Sequence, residues 1–425
     1  MVPLLPGRLP RQTGPVLLLL SLVTCAPQGR PSVGPAPGVA SSSGGPTIRI
    51  GLRTGAPRVD LSGDSGLTLT DGDGAFLAVL ESGLTWRIRP DGAGLTAVGP
   101  GGRSVTGQRL LTLTPRSAGG LVAVGTARYR GSVTLVRDRG GITIVNSLGL
   151  EDYLRGVVGA EMGRRDPGED EALVAQAIVS RTFAIRNLGK RAEQGFDLYA
   201  STVDQVYAST AAEYPMAVKA VDRTAGLVLT WNGAPIDAFF FSTCAGRTAD
   251  GTEVFAGADR PYLSSVTDRD GSGEALCRIS PRYRWREEWT GEELRGILRQ
   301  SLPQVSSATA ADVDEVRGVA VDRQTRSGRV AQVSITLGKR EVSVSGPAVR
   351  QALHPIGQEV LRSAMFELHQ SVSEGRITRL VADGHGAGHG VGFCQWGAVG
   401  RARAGQSAIA MLTAYFPGTQ ISRAY

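Results

Sequence analysis

Cysteine is scarce in this chain of 425 residues: one lies near the start, Cys25, and three lie beyond it, Cys244, Cys277 and Cys394. Three thiols allow one disulfide with one thiol left over, and they are too few for a small disulfide-framed scaffold. Aromatic residues amount to 6%, and no Lys/Arg-rich run with interleaved aromatics occurs, so the sequence offers no nucleic-acid-binding surface. Beyond the first 25 positions no stretch of 18 apolar residues is present, which leaves no segment able to cross a bilayer as a helix. What remains is ordinary globular composition, 41% hydrophobic and 20% charged, with 57 Gly and 22 Pro as turn residues. At about 150 residues per domain the length predicts two or three domains, each able to bury a core.

The N-terminus reads differently. Arg8 and Arg11 precede the apolar stretch Val16-Leu-Leu-Leu-Leu-Ser-Leu-Val23 and then Thr24-Cys25, the pattern of an export signal. Leu22-Val-Thr-Cys25 resembles a bacterial lipobox, in which the cysteine is lipidated and becomes the new N-terminus; Thr24 departs from the usual small residue, and an ordinary cleaved signal is the other reading. Residues 26–46 are rich in Pro, Gly and Ser and suit a flexible tether, with the folded part beginning near Thr47. Loss of residues 1–24 removes Arg8 and Arg11, so 46 basic residues become 44 against 39 acidic and the formal charge falls from +7 to +5. A modest positive excess fits an anionic polymer partner.

From 47 to 147 short apolar or alternating runs are punctuated by Gly, Asp and Pro: Ile48-Arg-Ile50, Leu67-Thr-Leu-Thr70, Phe76-Leu-Ala-Val79, Leu84-Thr-Trp-Arg-Ile88, Leu110-Leu-Thr-Leu113, Val133-Thr-Leu-Val136 and Ile142-Thr-Ile-Val145. This is a β-rich domain without His or Cys. The character changes in residues 148–425. Leu173, Ala177, Ser180 and Ala184 recur at three- and four-residue steps behind Glu169-Asp-Glu171, which predicts a long, well-buried helix. Shorter helices are expected at 213–224, 291–301, 347–353 and 405–416, mixed with strands and without regular βαβ alternation. The fold class is therefore α+β, a β-rich region followed by a mixed α+β domain.

Among candidate chemical groups, Glu161 sits in Val157-Val-Gly-Ala-Glu-Met162, where small and apolar neighbours keep a carboxyl partly out of water. Burial raises a carboxyl pKa, as a general acid requires; the alternative is a helix-terminal Glu capping backbone donors. The surrounding segments, Glu151-Asp-Tyr-Leu-Arg-Gly-Val-Val and Glu171-Ala-Leu-Val-Ala-Gln-Ala with Arg181-Thr-Phe-Ala, closely resemble the opening of the SpoIID/LytB family. Phe241-Ser-Thr-Cys-Ala-Gly-Arg-Thr248, Ser327-Gly-Arg-Val330, Ser345-Gly-Pro-Ala-Val-Arg350 and Gly388-His-Gly-Val-Gly-Phe-Cys-Gln-Trp-Gly-Ala398 agree with its later motifs, in order. The resemblance runs from about residue 129 to Pro417-Gly418.

That family includes peptidoglycan lytic transglycosylases that act in sporulation and proteins described as enhancers of a wall amidase. The resemblance implies an enzyme working on the glycan strands of peptidoglycan, with a wall amidase as a possible partner; a non-catalytic, wall-binding enhancer is the other class. Its catalytic glutamate carries over onto Glu161. Its helix arginine carries over onto Arg181, which would orient the sugar or lactyl group, or else pair with a nearby acid. Gln205, Tyr207, Ser242, His389, Gln395 and Trp396 fall inside matched elements and are the expected substrate-binding residues, Trp396 as an apolar platform for a sugar face.

In one branch of the family a His and two Cys hold zinc ahead of the Gln-Val-Tyr element; here Gly195, Tyr199 and Asp204 stand at those positions, so neither that metal nor any other cofactor is expected. His385, His389 and Cys394 do not have a standard zinc spacing, although a metal gathered by the three later cysteines and His389 stays open as an alternative. A thiol nucleophile pairing Cys394 with His389 is the weaker option, since no orienting acid stands beside the His.

The expected location is the cell envelope, with the exported protein anchored to the membrane through lipidated Cys25 and the tether spanning on the order of 25 Å root-mean-square. Lipid on Cys25 supplies at least two acyl chains, enough for stable anchoring. Full-length protein should fractionate with membranes and the Cys25→Ser protein should not. Identical fractionation of the two, or a mature N-terminus elsewhere, would leave an ordinary signal peptide.

Overall fold

Twelve strands follow one another from Thr47 to Gly149, and they close around a core of Leu61, Leu69, Trp86, Leu111, Leu135 and Ile144. The computed structural model describes residues 45–425, so the expected export signal, Cys25 and the tether before Gly45 lie outside the described residues. The twelve strands contribute to two sheets of seven and six strands, the seventh strand of the larger sheet being Leu198–Tyr199 from further along the chain.

One strand pair belongs to two cores. Thr47–Ala56 runs antiparallel to Gly141–Gly149 with Ile48 opposite Leu148 and Ala56 opposite Ile142. Ile48, Ile50 and Leu148 point into the core of the following domain, whereas Ala56, Ile142 and Ile144 belong to the β-rich core. One end of the ribbon thus enters one core and the other end enters the other, across the register shifts between Gly51 and Ala56, and both domains are tied to it.

Eight helices follow: α1 (Leu150–Met162), α2 (Asp170–Arg186), α3 (Pro215–Arg223), α4 (Gly251–Val254), α5 (Gly291–Val305), α6 (Ala348–Ala352), α7 (Gln395–Arg403) and α8 (Ala408–Tyr415). The protein is thus α+β with a β-rich N-terminal region. α1 starts directly after the shared ribbon, with Glu151 and Asp152 in its first turn, where acids complement the exposed N–H groups. Leu150, Leu154, Val157 and Val158 make its apolar stripe, and it stops at Gly163, whose φ of +64° is open to glycine and strained for other residues. α2 is buried from Ala172 to Ala184 on every side, which is why its small, apolar composition lacks a polar face. Helices expected at 213–224, 291–301, 347–353 and 405–416 are present as α3, α5, α6 and α8.

Two features lie beyond those expectations. Residues 148–425 hold a second core, built by α5, α6 and two three-stranded sheets and filled by Trp289, Leu298, Leu302, Ile335, Leu361 and Leu380. α7 has no counterpart in the apolar pattern because Gly397 and Gly400 interrupt it. Both glycines are sites of close approach: a Cβ on Gly397 would lie 2.0 Å from Asp268 Oδ2, and one on Gly400 2.2 Å from the Leu276 carbonyl.

The same constraint acts in α1, where a Cβ on Gly159 would lie 1.9 Å from the Ala212 carbonyl oxygen. Helix propensity alone favours Ala over Gly by about 1 kcal/mol, but a clash this close with backbone lies at the upper end of overpacking costs, about 2–3 kcal/mol. Gly159→Ala should therefore lower stability to denaturant unfolding by about 1–2 kcal/mol. A variant as stable as the parent would show that the 209–212 turn moves aside freely.

Candidate active site

Glu161 occupies the last turn of α1, at the negative end of the helix dipole, and borders a cleft of about 200 Å³. Met162, Arg165, Ser242, Arg282, Gln395 and Trp396 also line it, and Glu161 is the one carboxylate among its described lining residues. Two donors meet the carboxylate: the Val206 N–H reaches Oε1 at 2.7 Å and Gln395 Nε2 reaches Oε2 at 3.2 Å. Burial pushes the Glu161 carboxyl above its ordinary pKa, and the bonds from Val206 and Gln395 offset part of that shift. No ion pair involves Glu161 among the described residues. Gly163 turns the chain, and the Arg165 guanidinium lies 4.6 Å from the centre of the Trp396 ring.

The far wall is made by two short parallel strands, Phe240–Phe241 and Phe393–Cys394, which place Ser242 and Gln395 side by side. The Trp396 N–H donates to the Ser242 carbonyl at 3.0 Å, joining the strand end to the first turn of α7. Gln395 is also within 3.5 Å of Gln176 Oε1 on α2, so its amide is held from behind while it faces Glu161.

Of the expected site residues, the structure gathers Glu161, Ser242, Gln395 and Trp396 at the cleft and places four elsewhere. Arg181 is 0% exposed and donates through Nε and Nη2 to Glu151 at 2.8 and 2.6 Å, with further bonds to Thr224 and the Leu227 carbonyl. It is a structural cation, not a sugar ligand. Gln205 is equally buried; its Oε1 accepts from Tyr153 and its Nε2 donates to the Ser180 carbonyl. Tyr207 packs between Tyr129 and Tyr153 and donates to Asn146 Oδ1 at 3.1 Å. These two side chains anchor the loop whose intervening residue, Val206, turns its N–H to Glu161. His389 lies among Phe239, Phe241 and Phe255, its Nε2 paired with the Phe240 carbonyl at 2.8 Å and its Nδ1 accepting from Val391. Burial pushes its pKa down to about 4, so it is neutral, and with both ring nitrogens engaged it is no base for Cys394. Trp396 lines the cleft, but one face of its indole is covered by Arg165 and is not open to a sugar.

A family model described as stage II sporulation protein matches residues 138–231, and one described as a domain of unknown function matches residues 249–392. Stage II sporulation protein D of Bacillus subtilis (strain 168) is 32% identical over 295 residues, spanning 66% of this chain and 76% of that protein. Its Bacillus amyloliquefaciens counterpart is 32% identical over 297 residues, with the same shares. The chain belongs to the SpoIID/LytB family. A protein named amidase enhancer in B. subtilis is 27% identical over 281 residues, 59% of this chain and 38% of that one.

Within this SpoIID/LytB chain, the loop that zinc closes in one branch is held by charge. Asp204, whose side chain is inaccessible, pairs with Arg191 at 2.7 Å and Lys190 at 3.4 Å and accepts from the Tyr199 N–H at 2.9 Å. Arg165 and Arg282 are cleft residues that motif matching passed over. Arg164-Arg165, a basic pair just beyond Glu161-Met162-Gly163, was the signal available for the first. Arg165 Nε is buried without a hydrogen-bond partner, and its Nη1 is 3.9 Å from Glu169, a carboxylate already held by Arg403 at 2.6 Å.

The buried pair gives a direct test of the Arg181 assignment. Burial pushes the Glu151 carboxyl up, but Arg181, Tyr425 and the Gly226 N–H together bring it below its ordinary value. Arg181→Met strands that charge and should cost about 3–5 kcal/mol, part of which Glu151→Met in the same protein should restore. Unchanged unfolding with weakened glycan binding would return Arg181 to the substrate.

Proposed function

We propose that this SpoIID/LytB protein works on the cell wall as a lytic transglycosylase, cleaving the glycan strand between N-acetylmuramic acid and N-acetylglucosamine. The observation that carries this reading is a carboxyl with a raised pKa that stands alone at a cleft. Glycoside hydrolysis ordinarily uses two carboxylates around the scissile bond. An internal nucleophile removes that need. Glu161 gives its proton to the glycosidic oxygen as the muramyl C1–O bond breaks, and the N-acetylglucosamine residue leaves with a free hydroxyl. The muramyl 6-hydroxyl then bonds to C1 of the oxocarbenium-like centre and returns its proton to Glu161. The product is a 1,6-anhydromuramyl end, no water is consumed, and the carboxyl is restored to its starting state.

The two environments of Glu161 suit the two steps. Burial and the helix end favour the acid before bond cleavage; the Val206 N–H and Gln395 stabilise the carboxylate after it. Arg165 and Arg282 bring positive charge to the cleft, where they would meet the lactyl or stem-peptide carboxylates of the wall polymer. The similarity to a protein named amidase enhancer supports a second reading, a wall-bound stimulator of an amidase without chemistry of its own. The exported, Cys25-anchored location belongs to both readings.

Mass spectrometry of purified glycan strands after incubation separates them. The intact protein should release anhydromuramyl ends and Glu161→Gln none, and kcat/KM should fall as pH rises through the raised Glu161 pKa, because the first step requires the protonated carboxyl. Equal product from both proteins removes Glu161 from the reaction. Reducing ends in place of anhydro ends mean hydrolysis. No cleavage, with stimulation of an added amidase, establishes the enhancer.

A further inference from the structure

Behind the cleft wall, four side chains from four separate pieces of chain converge: Cys244 after the strand Phe240–Phe241, Asp268 in the following loop, Cys277 in the turn Leu276–Ile279, and Cys394 at the N-cap of α7. All four are buried, and one ligand atom from each lies within 4.8 Å of every other. Cys244 Sγ is 3.5 Å from Cys277 Sγ and 3.1 Å from Asp268 Oδ2. We propose that Cys244, Cys277, Cys394 and Asp268 form a closed tetrahedral site for a soft divalent metal ion, zinc by its donor set. This goes against the expectation of a metal-free protein and replaces the His389 of the open alternative with Asp268. It is independent of whether Glu161 is catalytic.

The spacing fits the ion. Zn–S bonds of about 2.3 Å and Zn–O bonds of about 2.0–2.2 Å give tetrahedral edges of roughly 3.5–3.8 Å, so the four atoms need contract by no more than about 1 Å. Backbone amides are aimed at the sulfurs: Cys244 N–H and Gly397 N–H each lie 3.2 Å from Cys394 Sγ, and Gly246 N–H lies 3.3 Å from Cys244 Sγ. Such donors stabilise thiolate ligands and fix their orientation. The last of these amides depends on unusual backbone. Ala245 has φ +60° and Gly246 φ +92°, a turn that costs energy for alanine and brings the Gly246 amide onto the sulfur.

Outer groups complete the arrangement. Arg401 Nε donates to Asp268 Oδ1 at 2.9 Å and the Tyr415 hydroxyl donates to Oδ2 at 2.9 Å, which orients the carboxylate. Arg329, 5% exposed, donates to the Cys244 and Arg247 carbonyls and to Ser327 Oγ, with no carboxylate in ion-pair distance among the described residues. Four anionic ligands against a divalent ion and these two guanidinium cations leave the buried cluster neutral. A disulfide would employ two sulfurs and leave the third thiol, the carboxylate and the aimed amides without a purpose. With four protein ligands the ion has no open position, so its work is structural. It would tie the start of α7 to the Ser242 strand end, and Gln395, which meets Glu161, is the residue next to Cys394.

The test uses the full-length protein purified under reducing conditions without chelator. Elemental analysis should find one zinc per chain, and cobalt-exchanged protein should show thiolate-to-cobalt charge transfer together with the strong d–d bands of a tetrahedral ion. Cys277→Ser and Asp268→Asn, checked for folding by circular dichroism, should lose or weaken both signals, whereas His389→Gln should keep them. The cobalt spectrum of the unaltered protein stands even where a variant fails to fold. No metal with a mass deficit of two hydrogens, no metal with three free thiols after added zinc, or metal retained in both variants would each overturn the proposal.

Discussion

A guanidinium cut off from water lies at the middle of α2, and the groups that satisfy it set the arrangement of the core around it. Arg181 binds both oxygens of Glu151 in the first turn of α1, and its other donors reach the Val221 carbonyl within α3 and Thr224 and the Leu227 carbonyl just beyond it. Tyr425 and the Gly226 N–H close on the same carboxylate from the end of the chain and from the turn before strand Leu227–Trp231. A buried charge tolerates no half-made arrangement, because an unpaired ion in the interior is worth several kcal/mol of destabilisation. α1 is thereby seated at its N-terminal end, and Glu161, ten residues and roughly 15 Å along a rigid helix, is delivered to the cleft.

Several acids of this protein owe a lowered proton affinity to arginine. Glu151, Asp60, Glu288 and Glu315 are all held low by a neighbouring guanidinium. Glu161, like Asp268, is pushed the other way by burial, and a diversion of the chain leaves it without an arginine partner. Had α1 continued by one turn, the arginine four residues on would face the carboxylate and hold it ionised. Gly163 prevents this at a φ of +64° and sends the guanidinium onto the Trp396 indole. The glycine and the tryptophan together keep a cation away from the acid.

How far the sequence carries depends on the kind of statement. Alternating runs located the β-rich domain, and the small-residue periodicity of α2 announced a long, well-buried helix. The Glu161 and Gln395 motifs meet at one cleft as their family membership implied. Depth is what motif matching leaves out: Arg181, Gln205 and Tyr207 belong to the same matched elements yet lie beneath the site, and His389 sits in an aromatic pocket with both nitrogens engaged. Residue type also misled. Gly397 and Gly400 hide a helix, because the space they vacate is filled by Asp268 and the Leu276 carbonyl and not by solvent. Asp268 itself, alone in Ser264-Ser-Val-Thr-Asp-Arg269, carries no sign in the primary structure that three distant cysteines converge on it.

The shorter of the two bonds to Glu161 comes from the main chain of Val206, and this has a consequence for how the site drifts over evolutionary time. A peptide N–H is supplied by nineteen of the twenty residue types, so position 206 is free to vary in size and polarity, with proline alone forbidden. The neighbours bear the constraint instead. Gln205 and Tyr207 touch no cleft surface, but they fix the path of the loop, and with it the direction of a donor that neither of them owns. Selection for the chemistry would then be written into buried residues on either side of a position that itself looks neutral.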